Sequence, residues 1–314
     1  MIESRLDSLR MVDPVLTNLA LGYQPSNYIG HKLFPTVKVK SQKGRVPFFG
    51  KDSFVIRESE RAIRSNSNRI PTMDFETIEF SLQERDLEVA MDYLEEEETY
   101  DLLKYEQKLT IDLLNILTLE REKAIADYVQ NPDNFSSDMK IVMEPGITFT
   151  NGYGEFTINN IIETATDKIR ANISRKPNTV IMGPTTFNQI CANSNITSII
   201  QNSGTIKLNL KLLQDLFEIE NIFIGLGVSS TDGRNFDDIW GNSLIFAYVD
   251  QSDDNSRSQY NPSYGYIFEK EGMPEIDTYY ENGGKIKVIR ATDNWTLKVV
   301  CPEAAFLITT TPQS

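Results

Sequence analysis

The chain has 314 residues, and 31 Lys and Arg against 45 Asp and Glu give it a net charge of −14 at pH 7. Its 40% hydrophobic and 24% charged residues are typical of a globular protein with one large or two modest domains. A single histidine, His31, excludes a multi-histidine metal site and leaves one candidate base for a Ser or Cys nucleophile. The two cysteines, Cys191 and Cys301, lie far apart, which argues against a zinc ribbon, an iron–sulfur cluster or a disulfide framework.

The start of the chain and its apolar stretches bear on its compartment. The first residues lack the long apolar core of a signal peptide, and no apolar run reaches the length that spans a membrane. Together with the scarcity of cysteine, this favours a reduced, cytosolic setting. The acidic balance argues against nucleic-acid binding by the whole surface, because phosphate neutralisation requires clustered Lys and Arg.

The charge is unevenly distributed along the chain. Residues 1–60 carry a net charge of +3, so the remaining residues carry −17, and no acid occurs between residues 32 and 51. The basic residues of this stretch are Lys32, Lys38, Lys40, Lys43, Arg45 and Lys51. We expect either a solvated basic arm or an arm that contacts an acidic neighbour or phosphate.

Residues 1–45 are predicted to form an extended arm, because proline and glycine repeatedly interrupt any regular element. The arm contains too many apolar residues for a free tail, so we expect it to lie on its own body or on another subunit. Residues 46–57 and 73–91 are predicted to be the two strands of a long hairpin, since apolar residues alternate with polar ones.

The hairpin tip, residues 57–70, is polar and basic. Its arginines are Arg57, Arg61, Arg64 and Arg69. An isolated two-stranded hairpin is marginal in water, so this element is either a mobile surface feature or an arm that reaches a partner. The length and apolar content of the strands favour a partner.

Residues 94–130 give the strongest helical pattern, with apolar residues at three- and four-residue steps and no Gly or Pro before Pro132. A helix over 99–130 would span roughly 45 Å, longer than a typical globular helix. Glu95, Glu96, Glu97 and Glu98 are expected in its first turns, where negative charge suits the helix dipole. We hypothesise that these glutamates pair with the tip arginines of a neighbouring subunit, or else that both groups are solvated and never meet.

The remaining chain is predicted to form an α/β unit followed by strands. A short strand-like region over 139–150 precedes an α/β unit over 155–250. That unit is predicted to contain helices over 157–173, after Pro184 and over 208–217, with strands over 179–182, 222–224 and 244–249. The tail is predicted to contain strands over 264–268, 276–280, 285–290, 297–300 and 305–309.

No stretch carries a signature of catalysis or cofactor binding. The chain lacks a phosphate-binding loop, a complete dinucleotide fingerprint and a G-x-S-x-G elbow. The loop acids between 232 and 254 match no EF-hand, and solvation is their ordinary explanation; they are Asp232, Asp237, Asp238, Asp250, Asp253 and Asp254. We therefore predict no catalytic residue, no metal site and no cofactor.

Four stretches resemble the major capsid proteins of tailed bacteriophages. The first is VDP at 12–14 with YIGHKLFPTVKV at 28–39, running into GRVPFFGK at 44–51. The others are PNTVIMGPTTF at 177–187, IWG at 239–241 with the strand over 244–249, and AAFLI at 304–308. Their order and spacing cover nearly the whole chain.

The resemblance implies an α+β fold of the Hong Kong 97 type, with an extended N-terminal arm, a long β-hairpin loop, a peripheral domain with a spine helix and an α/β axial domain. The expected ranges are 1–45 for the arm, 46–92 for the extended hairpin loop, 93–150 for the peripheral domain, 151–260 for the axial domain and 261–314 for strands returning to both domains. It also implies a structural protein and not an enzyme. Such subunits assemble as pentamers and hexamers into an icosahedral head around double-stranded DNA.

The resemblance also implies partners. The first is the chain itself, joined by a portal, by decoration proteins and, because no charged helical pre-domain is found, by a separate scaffolding protein. We expect weak, non-specific contact with packaged DNA through the basic stretch from Lys32 to Lys51, no membrane contact, and assembly in the bacterial cytoplasm into the virion. Self-crosslinking is not carried over, because its lysine, asparagine and acid find no match.

Three alternatives stay open at this point. An encapsulin-like nanocompartment would share the fold and enclose cargo enzymes. An α/β enzyme would show a pocket with shifted titrating groups. A tail-tube protein would assemble into tubes.

Overall fold

The computed structural model describes residues 11–23, 25, 27–48, 56, 59–61, 63–68, 77–98, 101–151, 157–202, 210–252, 257–258 and 260–310. Its helices are α1 (Pro14–Leu21), α2 (Gly30–Leu33), α3 (Tyr93–Glu98), α4 (Leu102–Gln130), α5 (Ile158–Ile173), α6 (Pro184–Cys191), α7 (Ser194–Asn202) and α8 (Leu210–Phe217). Its strands are β1 (Met11–Val12), β2 (Thr36–Val39), β3 (Lys43–Pro47), β4 (Thr77–Ser81), β5 (Gln83–Asp92), β6 (Lys140–Met143), β7 (Thr179–Met182), β8 (Asn221–Ile224), β9 (Val228–Ser229), β10 (Asp237–Asp238), β11 (Ser243–Ala247), β12 (Gly265–Lys270), β13 (Glu275–Glu281), β14 (Ile286–Val299) and β15 (Ala305–Thr310).

Helix α4 is the long helix that the sequence predicts, and at 29 residues it is about 44 Å long. The Asp101 carboxylate caps its start by accepting a hydrogen bond from the Lys104 N–H at 3.3 Å. The helix ends at Gln130, before Asn131 and Pro132, because proline cannot continue it. The apolar stripe of α4 is buried against both sheets and the N-terminal arm, and it includes Leu113, Leu114, Leu117, Ile125 and Val129.

The first sheet is built around β14, a single strand of 14 residues. One edge of β14 pairs with β5 along ten residues, and its other edge pairs first with β13 and then with β12. The prediction of two separate strands over 285–290 and 297–300 is wrong. The polar residues between them, Asp293 and Asn294, resemble a turn in the sequence, but both are buried and find polar partners inside the protein.

The second predicted strand of the hairpin, over 73–91, is divided between two sheets, and residues 49–55 and 69–76 of the predicted hairpin lie outside the described residues. Strand β3 pairs with β4, but the strand is interrupted at Leu82. The segment that follows, β5, pairs with β14 in the first sheet. The expectation that 83–91 belongs to the hairpin is therefore wrong. The alternation there is that of a sheet strand covered on one face by the core, where Met91 is buried.

The base of the hairpin is anchored by aromatic packing. The Phe80 ring stacks on Phe268 of the first sheet, with ring centroids 4.6 Å apart and an interplanar angle of 8°. Val46 and Leu82 are buried in the same cluster. A Cβ at Gly44 would lie 2.6 Å from the Phe80 ring, so only glycine fits beneath it.

The described part of the N-terminal arm lies on its own subunit and contains two helices. The expectation of an uninterrupted extended arm over 1–45 is therefore wrong for α1 and α2. Asp13 caps α1 by accepting hydrogen bonds from Val15 N at 2.9 Å and Leu16 N at 3.0 Å. Leu16 and Ala20 pack on the leucines of α4, and β2 extends the first sheet beside β12.

The second sheet has the order β6-β15-β11-β7-β8. Its three central strands are buried on both faces, and α5 packs across β15 and β11. The helix predicted over 157–173 is confirmed as α5. Strands β6 and β15 lie outside the predicted 155–250 unit, so this sheet is completed by segments from before and after it.

A buried carboxylate on α4 joins the arm to the second sheet. Glu122 is 3% exposed, and its two oxygens accept hydrogen bonds from Ile29 N at 2.8 Å, Gly30 N at 2.8 Å and Trp240 Nε1 at 2.7 Å. Burial raises the pKa of the Glu122 carboxyl, and the three N–H donors oppose that shift by stabilising its charged form. We call Glu122 and these three partners the Glu122 junction.

Close backbone approaches hold Trp240 in this junction. A Cβ at Gly183 would lie 2.0 Å from the Trp240 carbonyl oxygen, and one at Gly225 would lie 2.1 Å from the indole ring. Gln130 of α4 fixes the same segment by donating to Ile239 O at 2.9 Å and accepting from Gly241 N at 2.7 Å. Two of the four stretches that carry the family resemblance, those around Gly30 and Trp240, therefore meet at α4, and a third, around Gly183, packs against Trp240.

We expect Glu122→Gln to lower the free energy of unfolding by about 2–4 kcal/mol, because one amide oxygen cannot satisfy three N–H donors in a buried site. The matched control is Glu120→Gln, whose side chain is 54% exposed and pairs with Arg85, and for which we expect a change below about 1 kcal/mol. Guanidinium unfolding of the unassembled subunit, followed by circular dichroism, measures both. Equal losses in the two variants would contradict the junction's role.

Candidate functional site

The structure describes part of the basic hairpin tip. Arg61 and Arg64 are exposed, and Arg61 Nη1 donates to Ser65 O at 2.7 Å. Arg57 and Arg69 lie outside the described residues. Two aliphatic side chains accompany the arginines, since Ile56 is 97% exposed and Ile63 is 93% exposed. The tip therefore presents positive charge beside apolar surface.

The four predicted glutamates form a separate short helix. The expectation that Glu95–Glu98 lie in the first turns of α4 is wrong, because they belong to α3, which precedes the Asp101 cap of α4. Glu95, Glu97 and Glu98 are exposed, and Glu96 is half-buried. Glu95 accepts a hydrogen bond from Asp92 N at 3.3 Å, and α3 is fixed to the turn between β13 and β14 by a bond from Tyr93 N to Lys285 O at 2.9 Å.

Exposed apolar side chains surround these glutamates. Tyr93 is 42% exposed, Leu94 53% and Tyr280 61%. This acidic and apolar surface of α3 and β13 mirrors the basic and apolar tip in composition. Among the residues that the structure describes, no ion pair within one chain joins Arg61 or Arg64 to Glu96, Glu97 or Glu98.

The basic stretch of the arm does not form one continuous charged face. Lys38 pairs with Glu269 and donates to Met273 O at 2.9 Å, and Arg45 pairs with Glu79 at 2.8 Å. Lys32 lies over the Phe223 ring, 5.9 Å from its centroid. Lys40 and Lys43 are exposed, and Lys51 lies outside the described residues. The accessible charge of this stretch is therefore concentrated in Lys32, Lys40 and Lys43.

The predictions from the sequence do not include the charged cluster in which Arg121 of α4 bonds two buried acids of the first sheet. Arg121 Nη2 donates to Glu269 Oε1 and to Asp293 Oδ2, both at 2.5 Å. Burial raises the pKa of the Asp293 carboxyl, although the Arg121 charge opposes the shift. The sequence does contain one indication of this cluster: Arg121 lies four residues from both Leu117 and Ile125, and therefore on the apolar stripe of α4.

A half-open cleft of about 690 Å³ lies beneath the arm, between α4 and both sheets. Its lining includes Tyr28, Lys38, Arg121, Glu122 and Phe223. Three charged side chains in it, Lys38, Arg121 and Glu122, are paired with carboxylates or with backbone groups. This arrangement serves to hold the arm on the body.

The described part of the chain contains no group of three or more His, Cys, Asp or Glu residues that could hold a metal ion. Asp232 accepts hydrogen bonds from Arg234 N and Asn235 N, both at 2.8 Å, and these bonds lower its pKa to about 2. Burial raises the pKa of the Cys301 thiol to about 12, which disfavours the reactive thiolate. No helix in the described ranges is long and apolar enough to cross a membrane.

Comparison with known proteins identifies relatives over nearly the whole chain. No family model matches the chain. The major capsid protein of Burkholderia phage BcepMu is 37% identical over 305 residues, which cover 97% of this chain and 98% of the relative.

Solved structures show the same fold. A phage-related protein from Bordetella bronchiseptica RB50 has a TM-score of 0.79 at 26% identity, covering 96% of this chain and 97% of that one. The capsid of cyanophage P-SCSP1u has a TM-score of 0.57 at 11% identity, covering 93% and 92%. The mature capsid of bacteriophage PhiM1 has a TM-score of 0.53 at 11% identity, covering 93% and 90%; these last two likenesses concern the fold alone.

The family resemblance and the α+β fold inferred from the sequence are therefore confirmed. The fold is of the Hong Kong 97 type, and members of the family assemble with themselves into shells. Identity over almost the full length of both proteins means that this chain belongs to the major capsid proteins of tailed bacteriophages and is a component of the virion.

Proposed function

We propose that the chain builds the icosahedral head that encloses the double-stranded DNA of a tailed phage, as pentamers and hexamers of one subunit. The observation that carries this proposal is the 37% identity to a phage major capsid protein over nearly all of both chains. The role is structural and not enzymatic. A portal, a scaffolding protein and decoration proteins are the partners that such a head takes.

The domain ranges expected from the sequence form part of this proposal, with two adjustments. Strand β5, within the expected hairpin range of 46–92, is assigned to the peripheral domain, because it pairs with β14 of the first sheet. Strand β6, within the expected peripheral range of 93–150, is assigned to the axial domain, because it pairs with β15 of the second sheet. Each domain is therefore assembled from segments that are separate in the sequence.

The hairpin tip is proposed to contact α3 of a neighbouring subunit. The tip carries Arg61 and Arg64 beside exposed isoleucines, and α3 carries glutamates beside exposed Tyr93 and Leu94. Single exposed ion pairs contribute roughly 0–1 kcal/mol. The same contact repeated over every subunit, with apolar surface buried beneath it, sets register and orientation. Arg57 and Arg69 are included in this proposal from the sequence alone.

Contact with the packaged DNA is proposed to be weak. An acidic subunit repels phosphate, which lets DNA move without adhering to the wall. The exposed cations of the arm, Lys32, Lys40 and Lys43, are the proposed contacts on the inner wall. Lys38 and Arg45 contribute less, because each already pairs with a carboxylate.

We expect the purified protein, alone or with its scaffold, to form closed shells of uniform curvature with five- and six-fold clusters in electron micrographs. Tubes would instead support a tail-tube protein, and small discrete oligomers an enzyme. Shells containing a cargo enzyme, together with a cargo gene in place of terminase and portal genes nearby, would support a nanocompartment.

We expect the double variant Arg61→Glu, Arg64→Glu to raise the protein concentration needed for assembly by about tenfold, since two exposed pairs are replaced by repulsion. Glu97→Lys with Glu98→Lys should do the same, and the four changes combined should restore assembly. The control is Lys211→Glu, an exposed charge outside the contact. Sedimentation measures the assembled fraction, and a capsid structure that separates the two groups by more than about 8 Å would refute the pairing.

We expect Lys40→Gln with Lys43→Gln to leave shell assembly unchanged while lowering the DNA content of the heads, because two inner-wall cations are lost. Lys168→Gln with Lys211→Gln removes the same charge from exposed positions on the axial unit and serves as the control. Absorbance of purified heads at 260 and 280 nm reports the DNA content. Unchanged packaging in the arm variant would count against the contact.

A further inference from the structure

The base of the hairpin is closed by one side chain. Gln42 lies in the turn between β2 and β3, and Leu82 lies between β4 and β5. Leu82 N donates to Gln42 O at 2.9 Å, and Gln42 Nε2 donates to Leu82 O at 2.9 Å. Gln42 thus joins the two points at which the hairpin leaves the body.

This closure is bonded to the first sheet through Asn294 of β14. Asn294 is 1% exposed, and its Nδ2 donates to Gln42 Oε1 at 3.0 Å, while Gln42 Nε2 reaches Asn294 Oδ1 at 3.3 Å. The backbone N–H of Asn294 donates to the neighbouring Asp293 Oδ1 at 2.8 Å. A buried amide that loses such a partner costs the free energy of its desolvation, so the pair resists separation.

Arg121 of α4 bonds Asp293, which joins it to the hairpin base, and it also bonds Glu269, which joins it to the arm strand β2. Its Nη2 bonds Asp293 Oδ2 and Glu269 Oε1, each at 2.5 Å, and the other oxygen of Glu269 accepts from Lys38 of β2. Asp293 is 5% exposed and Glu269 3% exposed. One guanidinium therefore compensates two buried carboxylates, of which one leads to the hairpin and the other to the arm strand.

We propose that Arg121 is a positioning residue that couples the hairpin base and the arm strand β2 to α4, so that the three change position together. Without the guanidinium, the Asp293 and Glu269 carboxylates face each other across the cleft, and Lys38 compensates Glu269 alone. Their repulsion favours displacement of β12 relative to β14. Those strands carry the partners of β2 and the hairpin base. The coupling is a property of a single subunit and does not depend on the function of the assembled shell.

The competing explanation is that aromatic packing alone holds the hairpin. Phe80, Val46 and Leu82 are buried against the first sheet, and this cluster does not include Arg121. Under that explanation, a change at Arg121 would affect only its immediate surroundings. The two explanations therefore differ in how far the effect of one substitution extends.

Hydrogen–deuterium exchange of the full-length, unassembled subunit distinguishes them. In Arg121→Lys we expect the amides of β2, and of β3 and β4 at the hairpin base, to exchange about tenfold faster, while β11 and β7 remain unchanged. The control is Arg85→Lys, because Arg85 lies 4.0 Å from the centroid of the same Trp295 ring that Arg121 approaches at 5.1 Å. Arg85 bonds the exposed Glu120, Gln83 and the Trp295 carbonyl oxygen, but neither buried carboxylate of the Arg121 cluster. The control should leave β2 and β3 unchanged.

Faster exchange confined to the neighbours of Arg121 in α4, β12 and β14 would overturn the proposal. Gln42→Ala tests the coupling from the other end, because this substitution lies in an exposed turn. If Arg121→Lys does not fold, faster exchange in α4 around Arg121 in Gln42→Ala supports the coupling, and unchanged exchange there overturns it. When both variants fold, the double variant should exchange no faster at the hairpin base than the more affected single variant, whereas multiplied effects would show two independent sites.

Discussion

The arrangement of the arm, the long helix α4 and the second sheet depends on the hydrogen bonds of the buried Glu122 carboxylate. An ionised carboxylate in the interior is tolerated only when its oxygens are fully hydrogen-bonded. The donors here come from two segments far apart in the chain, the turn before α2 and the loop before β11. Any movement of the arm or of Trp240 away from α4 therefore leaves a buried charge with too few partners.

Arg121, the residue before Glu122 on α4, has the opposite charge and bonds a different sheet. Arg121 bonds two acids of the first sheet, whereas Glu122 bonds the arm and the loop that leads into β11 of the second sheet. Apolar packing supplies most of the stability along α4, but it is non-directional. The buried Glu122 and the partly buried Arg121, both hydrogen-bonded, fix the rotation and register of this long helix between the two sheets.

A shell protein needs a rigid body with projecting contacts, and the structure separates these two requirements. The hairpin base is stacked on Phe268 and closed by Gln42, while the described residues of the tip are exposed. A contact between unlike surfaces, such as a basic tip and an acidic helix, closes into rings when each subunit is rotated by a constant angle. A small rotation at the hairpin base would displace the tip by a larger distance. The bonds of Gln42 to Leu82 and Asn294 restrict such a rotation.

The sequence by itself determined the elements whose signal is local. The spacing of apolar residues without Gly or Pro predicted α4 and α5, and continuous apolar runs predicted β7 and β11. Together with four short stretches, this order of elements indicated the family. Tertiary structure alone decided that β5 leaves the hairpin for the first sheet, that β14 is one strand, and that Glu122 and the two acids bonded by Arg121 are buried with partners. A local pattern records which side of an element is apolar, but strand pairing and charge compensation join residues that lie 93 to 212 positions apart, where no periodicity connects them.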